Sequence, residues 1–185
     1  GFPALTIRGD SGVDLVNLNG DISFASDASL IVTSEFVSTG ANADLVTAGN
    51  GVITIAADHV DLDPQSTLSS AATVTIKPQS LAYAIDLGTE TAGQLSLTDA
   101  ELDRITADTV RIGDSSSGFI TVSAALTQNS SLSLTTGSGI DINQSITMAA
   151  DKSLDVFASG SIILGTSNSD LATTGMGSIS LTTAR

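Results

Sequence analysis

Cysteine and tryptophan are absent from this chain, and aromatic residues make up only 3% of its 185 residues. The lack of cysteine excludes a disulfide framework and a thiolate metal site. Basic residues are also scarce, at 6 against 20 acidic residues, which gives a formal net charge of −14. Because nucleic acids and anionic membranes repel a polyanion, neither is an expected partner.

Long apolar runs are missing too. No stretch approaches the ~20 apolar residues that cross a bilayer, so membrane insertion is not expected. The chain starts at Gly1 rather than at a methionine, and it shows no basic-plus-apolar export signal. We therefore interpret it as a repeat unit or an internal fragment of a longer protein, whose export signal would lie upstream.

Short pairs of apolar residues, with one residue between them, recur along the chain. The pair occurs eight times, and a glycine stands two positions before six of its copies. The copies begin at Ile22, Ile53, Val74, Leu95, Ile120, Ile140, Ile162 and Ile179, so that the gaps are 31, 21, 21, 25, 20, 22 and 17 residues. A recurrence near 21 residues, with a period-2 pair in each copy, predicts a β-solenoid whose turns bury their inner faces by stacking.

We predict an all-β fold, a right-handed parallel β-helix of eight or nine turns, with residues 1–185 forming one domain. At about 4.8 Å per turn the solenoid would be ~40 Å long. Alternation along a strand sends successive side chains to opposite faces. Ile120 and Val122 should therefore point inward and Thr121 outward. The same reasoning places four further polar residues in solvent: Thr54, Asp61, Thr75 and Asp86.

Two segments interrupt the period. The small polar stretch 38–44 is interpreted as a loop or an enlarged turn that explains the long gap between Ile22 and Ile53. Within 93–126 the period is broken by about four residues, and Thr98 and Glu101 have the spacing of a capping box. We predict one or two helical turns at 99–105, with Leu102 and Ile105 packing onto the solenoid.

The sequence around this break resembles a known family. The segments LSLTDAELDRITADTVRIGD (95–114) and GFITVSAA (118–125) are similar to a segment of giant bacterial surface proteins of the filamentous-haemagglutinin-like, β-strand-repeat kind. The resemblance implies a secreted, cell-surface protein with a right-handed parallel β-helix. It also implies a role in adhesion or extracellular structure.

Individual motifs offer little chemistry. The tripeptide Arg8-Gly9-Asp10 matches integrin ligands, but Gly-Asp is also ordinary turn chemistry. His59, the only histidine, has Asp58 and Asp61 beside it. Nucleophilic catalysis would need a partner serine or cysteine held nearby, and the sequence indicates none. We expect His59 to be a surface residue at a turn.

Two acidic clusters are candidate cation sites, namely Asp58, Asp61 and Asp63, and Asp99, Glu101 and Asp103. Calcium requires six to eight oxygen ligands, and neither cluster follows the EF-hand or β-roll pattern. We interpret both as solvated faces. No catalytic, cofactor-binding or metal-binding residue is assigned, and no cofactor is expected.

The predicted function is a non-enzymatic structural repeat of a bacterial extracellular fibre or adhesin. Its partner would be another copy of itself or the next repeat of the same chain, stacked head to tail. An alternative is an adhesin module that binds host proteins or glycans. A second is a β-helix enzyme acting on carbohydrate, although 20 carboxylates make a chance pair uninformative. An ice-binding face is disfavoured because the pair Thr73 and Thr75 does not recur at the same place in each turn.

Overall fold

A computed structural model describes residues 3–10 and 12–184, which form short β-strands and one helix, α1 (Asp99–Leu102). The strands are β1 (Ala4–Arg8), β2 (Leu15–Leu18), β3 (Ile22–Ser23), β4 (Ser29–Thr33), β5 (Phe36–Thr39), β6 (Asp44–Thr47), β7 (Ile53–Ala56), β8 (His59–Asp61), β9 (Thr67–Ser70), β10 (Thr73–Lys77), β11 (Ile85–Gly88), β12 (Leu95–Thr98), β13 (Ile105–Thr106), β14 (Thr109–Ile112), β15 (Ile120–Val122), β16 (Leu126–Gln128), β17 (Ser131–Thr136), β18 (Ile140–Ile142), β19 (Ile146–Met148), β20 (Leu154–Ala158), β21 (Ile162–Leu164), β22 (Leu171–Ala172) and β23 (Ile179–Thr183).

Parallel pairing stacks these strands into a β-solenoid of about eight turns, which confirms the predicted fold. One sheet, here called the spine, runs from end to end in the order β1-β4-β7-β10-β14-β17-β20-β23. The remaining strands form four shorter sheets: β12-β11-β15-β18-β21, β13-β9-β6-β3, β16-β19-β22 and β2-β5-β8. Each turn is called a coil and is numbered from 1 to 8 by its spine strand.

The core is a column of aliphatic side chains that point inward from successive coils. In β17, Leu132 and Leu134 are buried while Ser133 between them is only half-buried. Ile120 and Val122 are fully buried and Thr121 is not, which confirms the predicted strand phase. Each such side chain rests on an aliphatic side chain of the coils before and after it, so burial depends on the neighbouring coils.

The recurring phrase does not occupy one structural position in the solenoid. Its copies fall on three sheets: Ile53, Val74 and Ile179 on the spine, Leu95, Ile120, Ile140 and Ile162 on the five-stranded sheet, and Ile22 on the four-stranded sheet. Every sheet needs the same alternating aliphatic pattern, so the phrase marks an inward-facing strand without marking its sheet. The true structural repeat is the ladder of spine partners, which runs through Leu30, Ile53, Val74, Val110, Leu132 and Leu154.

Close approach between coils explains several of the glycines that precede the phrase. A Cβ atom on Gly51 would collide with the carbonyl oxygen of Ala28 in the coil before. The same holds for Gly118 and the carbonyl oxygen of Ala82. Only glycine leaves room for backbone to pass over backbone at these corners.

The polar stretch 38–44 is not an enlarged turn. Ser38 and Thr39 belong to β5, and Asp44 begins β6, so only residues 40–43 form the corner between them. Asn42 takes a positive φ of 59° there, a conformation that asparagine tolerates. The long gap in the recurrence arose instead because Ile22 and Ile53 lie on different sheets.

Candidate functional site

Coil 4 is longer than the coils beside it, and its extra residues interrupt the regular stacking of the solenoid. From Val74 to its spine partner Val110 the chain takes 36 residues, whereas from Ile53 to Val74 it takes 21. The predicted break of about four residues is therefore too small. The additional chain, residues 89–104, is called the insertion. It adds strand β12, which pairs with β11 of the same coil through Ile85 and Leu95.

The predicted helix in the insertion is confirmed, but it is shorter than expected. It spans Asp99–Leu102, and both halves of the capping box are present. The Thr98 hydroxyl accepts from the Glu101 amide at 3.3 Å, and the Glu101 carboxylate accepts from the Thr98 amide at 2.9 Å. Leu102 and Ile105 are buried as predicted, although Ile105 lies in strand β13 rather than in the helix.

Two side chains of the insertion fasten it to coil 3. The carboxylate of Glu101 accepts a hydrogen bond from the amide of Leu62 at 3.2 Å, and the guanidinium of Arg104 donates to the carbonyl of Leu62 at 2.8 Å. Leu62 follows β8, whose partner among the described strands is β5 alone. Glu101 and Arg104 thus take the place of a neighbouring strand and satisfy backbone groups that would otherwise be buried without partners.

A cleft lies where the insertion meets coils 2 to 4, and it has two adjoining lobes of about 440 and 420 Å³. Both lobes are lined by His59 and Glu90, which therefore stand at their junction. The first lobe is more aromatic, with Phe36 and Tyr83, and the second is more charged, with Asp61, Glu101 and Arg104. These volumes fall within the range of small-molecule sites.

Aromatic rings of successive coils line up on the outer face beside the first lobe. Phe36 and His59 are paired residues of β5 and β8, and their ring centroids are 5.6 Å apart with an interplanar angle of 54°. Leu15, the partner of Phe36 on β2, extends this apolar row and is 66% exposed. His59 is exposed as expected, but it lies in a strand rather than at a turn.

Like charges meet at the junction of the lobes. Desolvation raises the pKa of Glu90, and the adjacent Glu101 carboxyl raises it further, by repulsion and by a hydrogen bond between the two side chains. Asp61 adds a smaller contribution in the same direction, whereas His59 opposes it.

Asp86 corrects a prediction from strand alternation. Its side chain leaves the outer face of β11 as expected, but it is only 4% exposed instead of lying in solvent. The hydroxyls of Thr89 and Thr91, at the start of the insertion, both donate to its Oδ2 atom, the former at 3.0 Å. Strand alternation predicted correctly that Asp86 lies on the outer face of β11. It contained no information about the insertion that covers this face.

The two acidic clusters are only partly solvated faces, which corrects the sequence interpretation. In the first, Asp58 and Asp63 accept backbone hydrogen bonds and Asp61 is exposed. In the second, Glu101 is buried and Asp99 accepts from the amide of Thr127 at 2.7 Å. Partial burial and the nearby Asp99 carboxylate raise the pKa of Asp103.

Several of these bonds belong to a pattern that links adjacent coils. An aspartate outside the β-strands accepts a hydrogen bond from a backbone amide in the coil that follows. The pairs are Asp21 with Asp44, Asp27 with Asn50, Asp58 with Gln79 and Ser80, Asp99 with Thr127, and Asp151 with Met176. Carboxylates strengthen such bonds through their charge. Part of the strong acidity of the chain therefore has a structural use.

The remaining candidate motif, Arg8-Gly9-Asp10, lies at the end of the first spine strand. Arg8 ends β1 and Asp10 follows it, both exposed, while Gly9 donates its amide to Thr33 of the next coil at 2.8 Å. Throughout residues 3–10 and 12–184, no three His, Asp or Glu side chains are grouped so that they could hold a metal ion. In that same part of the chain no helix has the length and apolar character to cross a bilayer.

Comparison with known proteins gives no relative from which a role could be transferred. No protein-family model, no curated protein and no solved structure matches this chain.

Proposed function

We propose that this chain is a non-enzymatic structural repeat of a bacterial extracellular fibre or surface adhesin, in which solenoid units stack end to end. The resemblance of residues 95–114 and 118–125 to filamentous-haemagglutinin-like surface proteins supports the secreted, cell-surface setting. The β-solenoid supports the structural role, because such folds grow along one axis by adding equivalent turns.

The stacking proposal rests mainly on the exposed aliphatic side chains of the last described coil. Ile179 and Leu181 on β23 are the ladder partners of Leu154 and Val156, which are 0% and 2% exposed. They occupy the same inward-facing column, yet they are 37% and 44% exposed because no described strand pairs with the far side of β23. Burying the exposed part of each would contribute about 1 kcal/mol.

The opposite end of the spine offers a matching surface. Strand β1 also has five residues, and its far edge has no partner among the described strands. Leu5 and Ile7 face the core column through their partners Leu30 and Val32. A β1 strand placed beside β23 would therefore continue both the hydrogen-bond ladder and the aliphatic column.

Such an arrangement is a head-to-tail contact between two different surfaces. A contact of this kind gives a filament when its rotation does not close into a ring. Open strand edges favour it, because unpaired amide and carbonyl groups form a template for a further strand. The axial repeat of the resulting fibre would be ~40 Å, from about 4.8 Å per coil.

Sedimentation velocity over a wide concentration range tests the proposal. We expect the wild-type chain to form end-to-end oligomers as its concentration rises, and thin unbranched fibres to be visible by electron microscopy. Leu181→Asp should abolish association, because it places a charge in the proposed interface. Leu81→Asp is the matched control, since Leu81 is 81% exposed but lies in a loop on the side of the solenoid.

Two outcomes would contradict end-to-end stacking. One is a wild-type chain that stays monomeric at millimolar concentration and forms no fibres. The other is association that Leu81→Asp and Leu181→Asp weaken equally, because the interface would then not lie at the end of the solenoid.

A further inference from the structure

We infer that the cleft between coil 3 and the insertion binds a linear, non-acidic oligosaccharide that lies across both lobes. This is a recognition function in addition to the structural role proposed above, and it does not depend on that role. Three properties of the cleft carry it: exposed aromatic surface, polar groups with spare hydrogen-bonding capacity, and a framework that holds both in place.

The first lobe brings together three of the few ring-bearing side chains of the chain. The sequence contains one histidine, one tyrosine and five phenylalanines, and His59, Tyr83 and Phe36 all line the first lobe. Phe36 is 40% exposed, and its ring packs against that of His59. Flat, partly exposed rings offer apolar faces on which the C–H face of a sugar ring can pack.

The polar groups around these rings suit sugar hydroxyls. Glu90 and Asp61 are exposed carboxylates in the cleft, and Gln94 adds an amide group at the edge of the first lobe. Arg104 uses one N–H group for the carbonyl of Leu62, and a guanidinium has five. Planar carboxylate, amide and guanidinium groups can each bond two neighbouring hydroxyls at once.

The charge of the cleft selects among sugars. Acidic side chains outnumber basic ones in the two lobes. The acidic ones include Glu90, Glu101 and Asp61, and the basic ones are Arg104 and His59. A uronic acid or a sulfated sugar would add a further anion to a site already lined by several carboxyl groups. Neutral and amino sugars avoid that repulsion.

The cleft does not favour an extended peptide. Peptides commonly bind solenoids and sheets by pairing with an open strand edge. Beside the cleft part of that edge is taken, because Glu101 and Arg104 already bond the amide and carbonyl of Leu62, the residue after β8. The same two bonds fix the insertion to coil 3, so both walls of the cleft are in place before a ligand arrives.

The test uses the full chain carrying Leu181→Asp, which prevents end-to-end association from contributing to the signal. A glycan array with linear neutral, amino-sugar and acidic oligosaccharides identifies a ligand, and calorimetric titration with cellohexaose and chitohexaose then measures affinity. We expect saturable binding of a neutral or amino-sugar hexasaccharide. Phe36→Ala and Glu90→Gln should each weaken it about tenfold, which corresponds to about 1.4 kcal/mol.

Matched controls separate the cleft from general surface effects. Phe157→Ala removes an outward-facing phenylalanine of similar exposure, 36%, from the spine, and Asp155→Asn neutralises an exposed carboxylate on the same strand. Neither should alter binding. The proposal is overturned if no glycan binds, if only acidic glycans bind, or if the control variants weaken binding as much as Phe36→Ala and Glu90→Gln.

Discussion

The alternation of side chains in β15 yields a sharp stability prediction from two adjacent residues. Ile120 is 0% exposed and is stacked between Ile85 and Ile140 of the neighbouring strands, whereas Thr121 faces outward. We expect Ile120→Ala to destabilise the chain strongly and Thr121→Ala to change its stability little.

The magnitude follows from what Ile120→Ala removes. Truncating a buried isoleucine to alanine costs about 2–5 kcal/mol, as lost burial plus the cavity left behind. The stacked strands on both sides fix the backbone spacing, so the site cannot collapse, and about 3–4 kcal/mol is expected. For a chain of this size, 1 kcal/mol lowers the melting temperature by about 2–4 °C, which gives a fall of about 6–16 °C.

Circular dichroism during thermal and urea unfolding measures both variants against the wild type. Thr121→Ala, as a change at an outward-facing position, should stay within about 0.5 kcal/mol. Equal losses for Ile120→Ala and Thr121→Ala would refute the strand phase.

Aspartate at the same two positions gives a second comparison. Ile120→Asp would bury a charge without a partner and should be more damaging than any outward substitution. Thr121→Asp is not neutral, however, because Thr121 pairs with Asp86 on one side and Asp141 on the other. Thr147→Asp is the better outward control, since Thr147 is exposed between Thr127 and Ala172.

Three further predictions concern the acidic residues. Asp58→Ala removes the acceptor for the amides of Gln79 and Ser80, and it should lower the free energy of unfolding in urea by about 1.5–3 kcal/mol. Asp155→Ala, the control, should lower it by less than about 0.5 kcal/mol. Equal losses for the two variants would mean that the bonds between coils contribute nothing to stability. Partial burial alone would raise the pKa of Asp114, but hydrogen bonds from Lys77, at 2.7 Å, and from Ser116 outweigh it and lower the pKa to about 2. The stabilisation that results is complete above the ordinary pKa of 3.8 and is lost as the pH falls through about 2. Because the side chains of Lys77 and Asp114 are both about one-third exposed, this stabilisation should amount to only about 1 kcal/mol. A Lys77→Met variant whose stability falls with acid as steeply as that of the wild type would contradict the prediction. Finally, millimolar calcium should leave the melting temperature nearly unchanged relative to matched sodium, and a rise of many degrees would reveal a calcium site in the native state.

Much of the fold could be predicted from the sequence, because its physical causes are local. Alternating aliphatic pairs predicted the strand phase of Ile120 and Val122, and the regular recurrence of such pairs predicted stacked coils. The capping box of Thr98 and Glu101 predicted a helix start, since both of its hydrogen bonds join residues of a single turn. These features depend on neighbours in the chain, and neighbours are what a sequence displays.

The tertiary structure decided which strands pair and what covers them. All sheets of a solenoid need the same inward pattern, so the sequence could not assign Ile22 and Ile53 to different sheets. It could not indicate that the insertion buries Asp86, or that Glu101 and Arg104 bond the backbone of Leu62 in the coil before. The cleft around His59 and Glu90 exists only because coils 2, 3 and 4 come together there. Contacts between coils join residues that lie far apart in the chain, and no local pattern records which of them meet.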